Sequence, residues 1–276
     1  MSPFIQGTFH FHSTYSHDGK HPLKEVASTL QASGFAFGVM TEHFEDFDAA
    51  TVDRYIAEAK EITETTGFVL VPGIEVHLRG LDTIVFPVRR FEQIQALLKG
   101  EDSDPKFFKV LAHPARYRFE DVERHIQNFR IDAVELWNQQ ADGAHIPPME
   151  FLRSMRTLGG RNRLRYFFGC DNHSAHLRAV NVLCLPESTP RTADAIANAL
   201  ASGQVVARNL FTGIEYRNGA GQGDFDRWFE LLQKRSYVRG RILKTLRRVL
   251  RTLYKALPRN AQHSLNDFKN AVRNRV

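Results

Sequence analysis

Apolar residues along the chain fall into two alternating kinds of segment. Short runs rich in β-branched and aromatic residues, "FHFH", "FAFGVM", "FVLVPGIEV", "TIVFPV", "FKVLAH", "DAVELW", "RYFFGC" and "AVNVLCL", are separated by stretches of helical period such as "LKEVASTLQAS", "DRYIAEAKEITETT", "FEQIQALLKG" and "MEFLRSMRTLGG". The alternation predicts βαβ units and a mostly parallel sheet. Several short runs are apolar throughout rather than at every second position, the pattern of strands covered on both faces, as in a barrel or a doubly wound sheet. Residues 192–207, "TADAIANALASGQVVA", read as a last helix, a stop at Gly203 and a closing strand.

The pattern changes after residue 215. A Gly-rich stretch, 216–226, reads as a hinge, and 227–276 as a separate tail. From Tyr237 to Leu257 the residues Ile242, Leu246, Val249, Leu250, Leu253 and Leu257 recur at helical spacing, opposite Arg241, Lys244, Arg248, Arg251 and Lys255. This predicts a basic amphipathic helix ended by Pro258, followed by a short helix capped by "SLND". Charge sharpens the division: from Asp224 onward there are 14 Lys and Arg against 4 Asp and Glu, whereas the preceding residues carry 23 against 27. The overall net charge of +6 therefore belongs to the tail. Three partners suit residues 237–257: a protein surface, the chain's own or a partner's, for the apolar stripe; an anionic membrane surface; and nucleic acid. The last is least favoured, because no aromatic residues interleave the basic face.

The 276 residues suffice for one large core plus an appendage. No apolar run approaches the ~20 residues that span a bilayer, and the amino terminus has no secretory pattern. Two cysteines, Cys170 and Cys184, predict core thiols rather than a disulfide framework. Together these features predict a cytoplasmic protein, peripherally attached to membrane if the tail helix lies in anionic lipid.

Candidate chemistry gathers at the ends of the predicted strands, the edge where parallel α/β folds place function. His10 and His12 end the first run, two residues apart, so in an extended strand both imidazoles leave one face. His43 follows "FGVMTE", Glu75 follows "VLVPGI", His113 follows "KVLA", and Asp171 with His173 follows "RYFFGC". A lone histidine at a strand end is commonly structural; five such sites, each closing a hydrophobic run, point instead to metal. Nitrogen and oxygen donors without a thiolate cluster suit Zn, Mn or Fe in an open catalytic site. Counting Asp18, there are more donors than one ion can use, and a carboxylate such as Glu75 can bridge two ions. Arg116 offers a fork for a substrate phosphate, and His176 offers a substrate contact, although either reads equally as a surface group. His21, His125, His145 and His263 read as structural or solvated. The sequence has no GxSxG, no Walker phosphate loop and no HExxH, which removes support for serine hydrolase, NTPase and metalloprotease readings.

The ordered motifs "HFHSTYSHDG", "MTEHFE", "VPGIEV", "VLAHPAR" and "GCDNH" resemble the polymerase and histidinol phosphatase (PHP) superfamily of metal-dependent phosphoesterases over residues 5–210. The resemblance implies a distorted (β/α)7 TIM-like barrel across 1–215, with two or three divalent ions (Mn, Zn, Fe or Mg) at its carboxyl-terminal rim. It further implies that His10, His12, Glu75 and Asp171 hold one ion, that Glu75 bridges to a second held by His113, and that Asp18, His43 and His173 hold a third. The activity implied is hydrolysis of a small phosphorylated substrate: a phosphomonoester, a nucleotide or an oligonucleotide end. A metal-binding scaffold recruited by the tail and a metal-dependent amide hydrolase are the competing readings. Two positions depart from the family pattern. Thr8 stands where an Asp commonly supports the first imidazole, and Asp82, with His77 as its rival, stands where a further His ligand is usual.

Overall fold

The computed structural model describes residues 4–101, 107–158, 164–174, 178–218 and 225–234. The chain divides into two compact units, Met1–Asp226 and Arg227–Val276. Of the second, residues 227–234 are described and helical. The tail helix read over 237–257, and His176, lie outside the described residues. Among the described residues no helix is long and apolar enough to cross a membrane.

The first unit is a mixed α/β fold built on one sheet. In chain order its elements are β1 (Phe4–Phe9), α1 (Leu23–Ala32), β2 (Phe37–His43), α2 (Ala49–Thr66), β3 (Val69–Leu78), β4 (Leu81–Phe86), α3 (Phe91–Lys99), β5 (Phe108–Leu111), α4 (Phe119–Phe129), β6 (Ala133–Asn138), α5 (Gln139–Asp142), α6 (Met149–Leu158), β7 (Arg165–Gly169), β8 (Asn181–Pro186), α7 (Ala193–Ser202), β9 (Val206–Asn209) and β10 (Ile214–Arg217). The strands are ordered β10-β9-β8-β1-β2-β3-β4-β5-β6-β7. The two ends of the β1 to β7 stretch meet. Beyond β1 and β7, Cys170 N–H donates to Phe9 O (2.9 Å), Asn172 N–H to His10 O (3.2 Å) and His12 N–H to Asn172 O (2.9 Å). The first half of β1 pairs instead with β8, antiparallel, from Phe4 to Gly7. The result is a nearly closed, distorted TIM-like barrel with β8, β9 and β10 as an antiparallel extension of one wall.

The sheet is less parallel than the alternating pattern predicts. β1, β2 and β3 are parallel, as are β5, β6 and β7, but β4 runs against both neighbours. Only Arg79 and Gly80 separate β3 from β4, and a parallel crossover needs a dozen residues or more. Both turn residues have positive φ, 48° and 103°, the combination of type I′ turns, where Asn-Gly is favoured.

The helices follow the apolar period, with ends fixed locally. Asp48 caps α2 by accepting from Thr51 N–H (2.7 Å), and Thr192 caps α7 by accepting from Ala195 N–H (3.2 Å). Left-handed glycines close α2, α3 and α7 at Gly67, Gly100 and Gly203. α4 closes on Arg130 in the same conformation (φ 49°, ψ 55°), which costs a side chain roughly 1–2 kcal/mol. Within the barrel Phe9, Phe86, Phe108 and Phe167, from four strands, touch ring to ring at centroid separations of 5.3 to 6.2 Å. All four are buried, so the barrel has a packed aromatic interior rather than a pore. Both cysteines are buried and free.

His125 on α4 is buried, with Nε2 3.1 Å from the Thr83 hydroxyl. Burial, with positive His77 and Lys109 nearby, pushes its imidazole down to about 4. Such a ring contributes its full stability above the unfolded value of ~6.5, and loses it as pH falls from there toward 4. Urea unfolding of the wild type and of His125→Gln at several pH values should show the wild type losing about 2 kcal/mol more than the variant over that interval. Parallel pH profiles would mean that the folded chain protonates His125 freely.

Candidate metal centre

The rim where β1, β2, β3, β5 and β7 end carries the predicted donors. Three of them sit in strained backbone: His10 (φ 71°), His113 (φ 28°) and Asp171 (φ 53°), the conformation that L-residues avoid. In each case the chain leaves a strand and turns the side chain toward a shared centre. Register brings in others, since His43 lies opposite Glu75 in the β2/β3 pair.

At that centre four atoms converge. His10 Nε2 is 3.5 Å from Glu75 Oε2 and 3.5 Å from Asp171 Oδ1; His12 Nε2 is 3.6 Å from each of the same two oxygens. All four residues are buried, and both Nε2 atoms lack a hydrogen-bond partner. Donors about 2.0–2.2 Å from one ion at tetrahedral angles stand about 3.3–3.6 Å apart, which these nitrogen–oxygen separations match; His10, His12 and Asp171 form one compact donor set, and Glu75 forms another with His10 and His113. Each buried Nε2 thus faces two carboxylate oxygens at the limit of hydrogen-bond reach, with no other polar partner.

Two further groups share residues with the first. His113 Nε2 lies 3.0 Å from Glu75 Oε1, forming a trio with His10. Asp18, His43 and His173 gather with His12: Asp18 Oδ2 is 2.9 Å from His173 Nε2 and 3.3 Å from His43 Nε2, and the His12 and His173 rings stack at 4.3 Å. Glu75 joins the groups, with Oε2 also 3.4 Å from His43 Nδ1. Electrostatics matches this arrangement. Burial alone would raise the Glu75 carboxyl, but His10, His113 and His12 hold it well below the usual carboxylate range. Burial, reinforced by the charge of His10, keeps His12 well below its ordinary value and hence neutral.

The rim thus unites eight of the nine expected metal ligands, and Asp82 remains outside these groups. Asp82 accepts hydrogen bonds from the Tyr117 hydroxyl and from His77 Nδ1 (2.9 Å), and its Oδ2 stands 3.9 Å from His113 Nε2. The two rivals for that position are therefore partners of one another. Arg116 lines the same open cavity of about 300 Å³, half-exposed, with Nη2 3.7 Å from Asp171 Oδ2.

Two buried carboxylates that fix the donors escaped the sequence reading. Glu135, on β6, contacts His10 Nδ1 through Oε1 (3.2 Å), while its Oε2 accepts from His113 N–H (2.7 Å) and from the Asn138 side-chain amide (2.9 Å). It supports the first imidazole as a carboxylate orienting a ligand does. Thr8, considered above for that role, leaves its hydroxyl without a partner. Glu135 fits only because residue 169 is glycine, since a Cβ there would lie 1.4 Å from Glu135 Oε1. Glu42, on β2, accepts from the Ser13 and Ser16 hydroxyls, each at 2.6 Å. With its own proton committed to Glu42, Ser16 Oγ receives His43 N–H (2.9 Å) and the Nδ1 proton of His12 (3.4 Å). Both imidazoles are thus oriented by their far nitrogens, leaving Nε2 toward the centre. The signal in the sequence was an acidic residue inside each of two otherwise apolar strands, "DAVELW" and "FGVMTEH".

Glu135→Gln and Gly169→Ala should each weaken Mn or Zn binding by about 10–100-fold, measured by competition with a chromogenic chelator, with the barrel retaining its circular dichroism spectrum. Wild-type affinity in both variants would remove Glu135 from the support of the centre.

The sequence matches no protein-family model and no curated relative. Solved structures similar to the chain include an amidohydrolase from Chromobacterium violaceum with bound sulfate (15% identity over 61% of this chain and 87% of that one, TM-score 0.45). Another is a protein from Bifidobacterium adolescentis described as a candidate metal-dependent phosphoesterase (15% identity, 72% and 97%, TM-score 0.45). A third is the histidinol phosphate phosphatase of Lactococcus lactis, complexed with zinc, L-histidinol and phosphate (15% identity, 63% and 88%, TM-score 0.39).

Proposed function

We propose that this chain is a metal-dependent phosphoesterase acting on a small phosphorylated substrate through a His/carboxylate centre of two or three divalent ions. The observation that carries the reading is that His10 Nε2 and His12 Nε2 each lie within 3.6 Å of both Glu75 Oε2 and Asp171 Oδ1, with both nitrogens buried and unpartnered. Three donor groups linked through His10 and His12 suit adjacent ions better than one isolated ion, and the motif resemblance over residues 5–210 points the same way. Divalent ions held there supply a coordinated water whose pKa falls from ~15.7 toward ~7, and they neutralise charge on a phosphoryl group.

The chain's own residues supply the rest. His10, His12, Glu75 and Asp171 form the buried end of the site, His113 adds to the Glu75 side, and Asp18, His43 and His173 form the more exposed end. Glu135 and Ser16 fix the imidazole orientation, so the donors are in place before substrate arrives. Arg116, half-exposed at the mouth, is placed to pair with a phosphate oxygen. The same cavity is lined almost wholly by ionisable groups, which favours a hydrophilic substrate over an apolar one.

Purified protein should contain Mn, Zn or Fe by elemental analysis and should hydrolyse a chromogenic phosphomonoester when supplied with Mn. Glu75→Ala should lower that rate by at least about a thousandfold, and Arg116→Ala should raise KM more than it lowers kcat. A panel that pairs phosphate esters with acetylated amines decides the reaction class: turnover of the amides alone would overturn the proposal, as would full activity of a metal-depleted Glu75→Ala protein.

A further inference from the structure

The ends of α3 and α4 and the Arg79–Gly80 turn border a cavity of about 400 Å³ that shares no lining residue with the metal centre. Among the described residues its lining carries more positive than negative charge: Arg79, Arg130 and Lys109, the last beside Asp132, against Glu101. Leu78, Leu97 and Phe129 supply apolar wall, and the Arg79 guanidinium sits 5.6 Å from the Phe129 ring centroid. Among the described residues neither Arg79 nor Arg130 has a carboxylate partner.

The backbone adds an independent observation. Arg79 occupies the first central position of a turn that favours Asn, and Arg130 occupies the left-handed end of α4, where α2, α3 and α7 have glycine. Of the five described non-glycine residues with positive φ, two therefore line this one cavity, and both are arginines. Neither side chain helps its own backbone adopt that conformation. What they share is a planar, permanently charged guanidinium on a residue that lines the same cavity, the group that pairs with phosphate.

We infer that this cavity binds a small phosphorylated molecule, its phosphate held by Arg79, Lys109 and Arg130 and its carbon skeleton resting on Leu97 and Phe129. The inference is independent of the reaction at the metal centre. A site of this kind, remote in its lining from the proposed chemistry, would sense or tether a phosphorylated metabolite rather than convert it.

The test compares calorimetric titrations of the full-length wild type and an Arg79→Asn, Arg130→Gly double variant, with ADP, inorganic pyrophosphate and adenosine as probes. The metal centre and the basic tail are identical in both proteins, so a difference belongs to the cavity. ADP and pyrophosphate should bind the wild type more tightly than adenosine does, with affinity falling at raised ionic strength, and the double variant should bind both anions at least about tenfold more weakly. Because Asn and Gly suit the two backbone positions, the variant's Tm should equal or exceed that of the wild type. Anion affinities within about twofold of wild type in the variant, adenosine binding as tightly as ADP, or no ADP binding to the wild type would each overturn the inference. So would loss of binding accompanied by a lowered Tm, which would mark the arginines as supports of the fold. If the double variant fails to fold, Arg130→Gly alone, which restores the residue used by three other helices, is judged by the same criteria.

Discussion

The rim depends on one buried carboxylate. Glu135 and His10 are wholly enclosed, and an isolated ionised carboxylate in such surroundings would be expensive. Contacts with His10, the His113 backbone and Asn138 satisfy it, and the absence of a side chain at Gly169 leaves it room. One group thereby fixes an imidazole, a strained backbone turn and the spacing between β6 and β7. Glu42 does the same on the other side through Ser13 and Ser16. The donors are held because their supports are buried and fully hydrogen-bonded, which leaves little freedom to relax when no cation is present.

Much of this was legible in the chain. Continuous apolar runs marked the strands, helical period marked α1, α2, α3, α6 and α7, and histidines or acids after those runs marked the rim. What eluded the reading is instructive in each instance. The reversal of β4 follows from a two-residue connection, a signal that alternation of strand-like and helix-like segments does not carry. α4 is strongly amphipathic yet dense in charge, with few apolar positions such as Val122 and Ile126, so it does not stand out from its surroundings as an apolar stretch. Glu135 and Glu42 were hidden because an acid inside a hydrophobic run reads as an interruption until its partners, distant in sequence, are known. Asp82 was placed by analogy of position, and its engagement with Tyr117 and His77 depends on tertiary neighbours that no spacing reveals.

Strain is distributed with a purpose that the two cavities share. Of the five described non-glycine residues with positive φ, His10, His113 and Asp171 belong to the donor groups of the rim, and Arg79 and Arg130 line the other cavity. Each costs roughly 1–2 kcal/mol that a glycine would spare. A fold with marginal stability tolerates few such positions, and here they coincide with groups able to hold a cation or an anion.

The seam that shuts the barrel has a consequence for synthesis. His10 and His12 leave the ribosome some 160 residues before their companions at Asp171 and across the Phe11–Asn172 bridge. Until that seam forms, the amino-terminal imidazoles have only part of their ligand set and β1 lacks both of its antiparallel and closing neighbours. A cation held between them would therefore gain its full set of ligands only with the slow, long-range pairing that completes the wall.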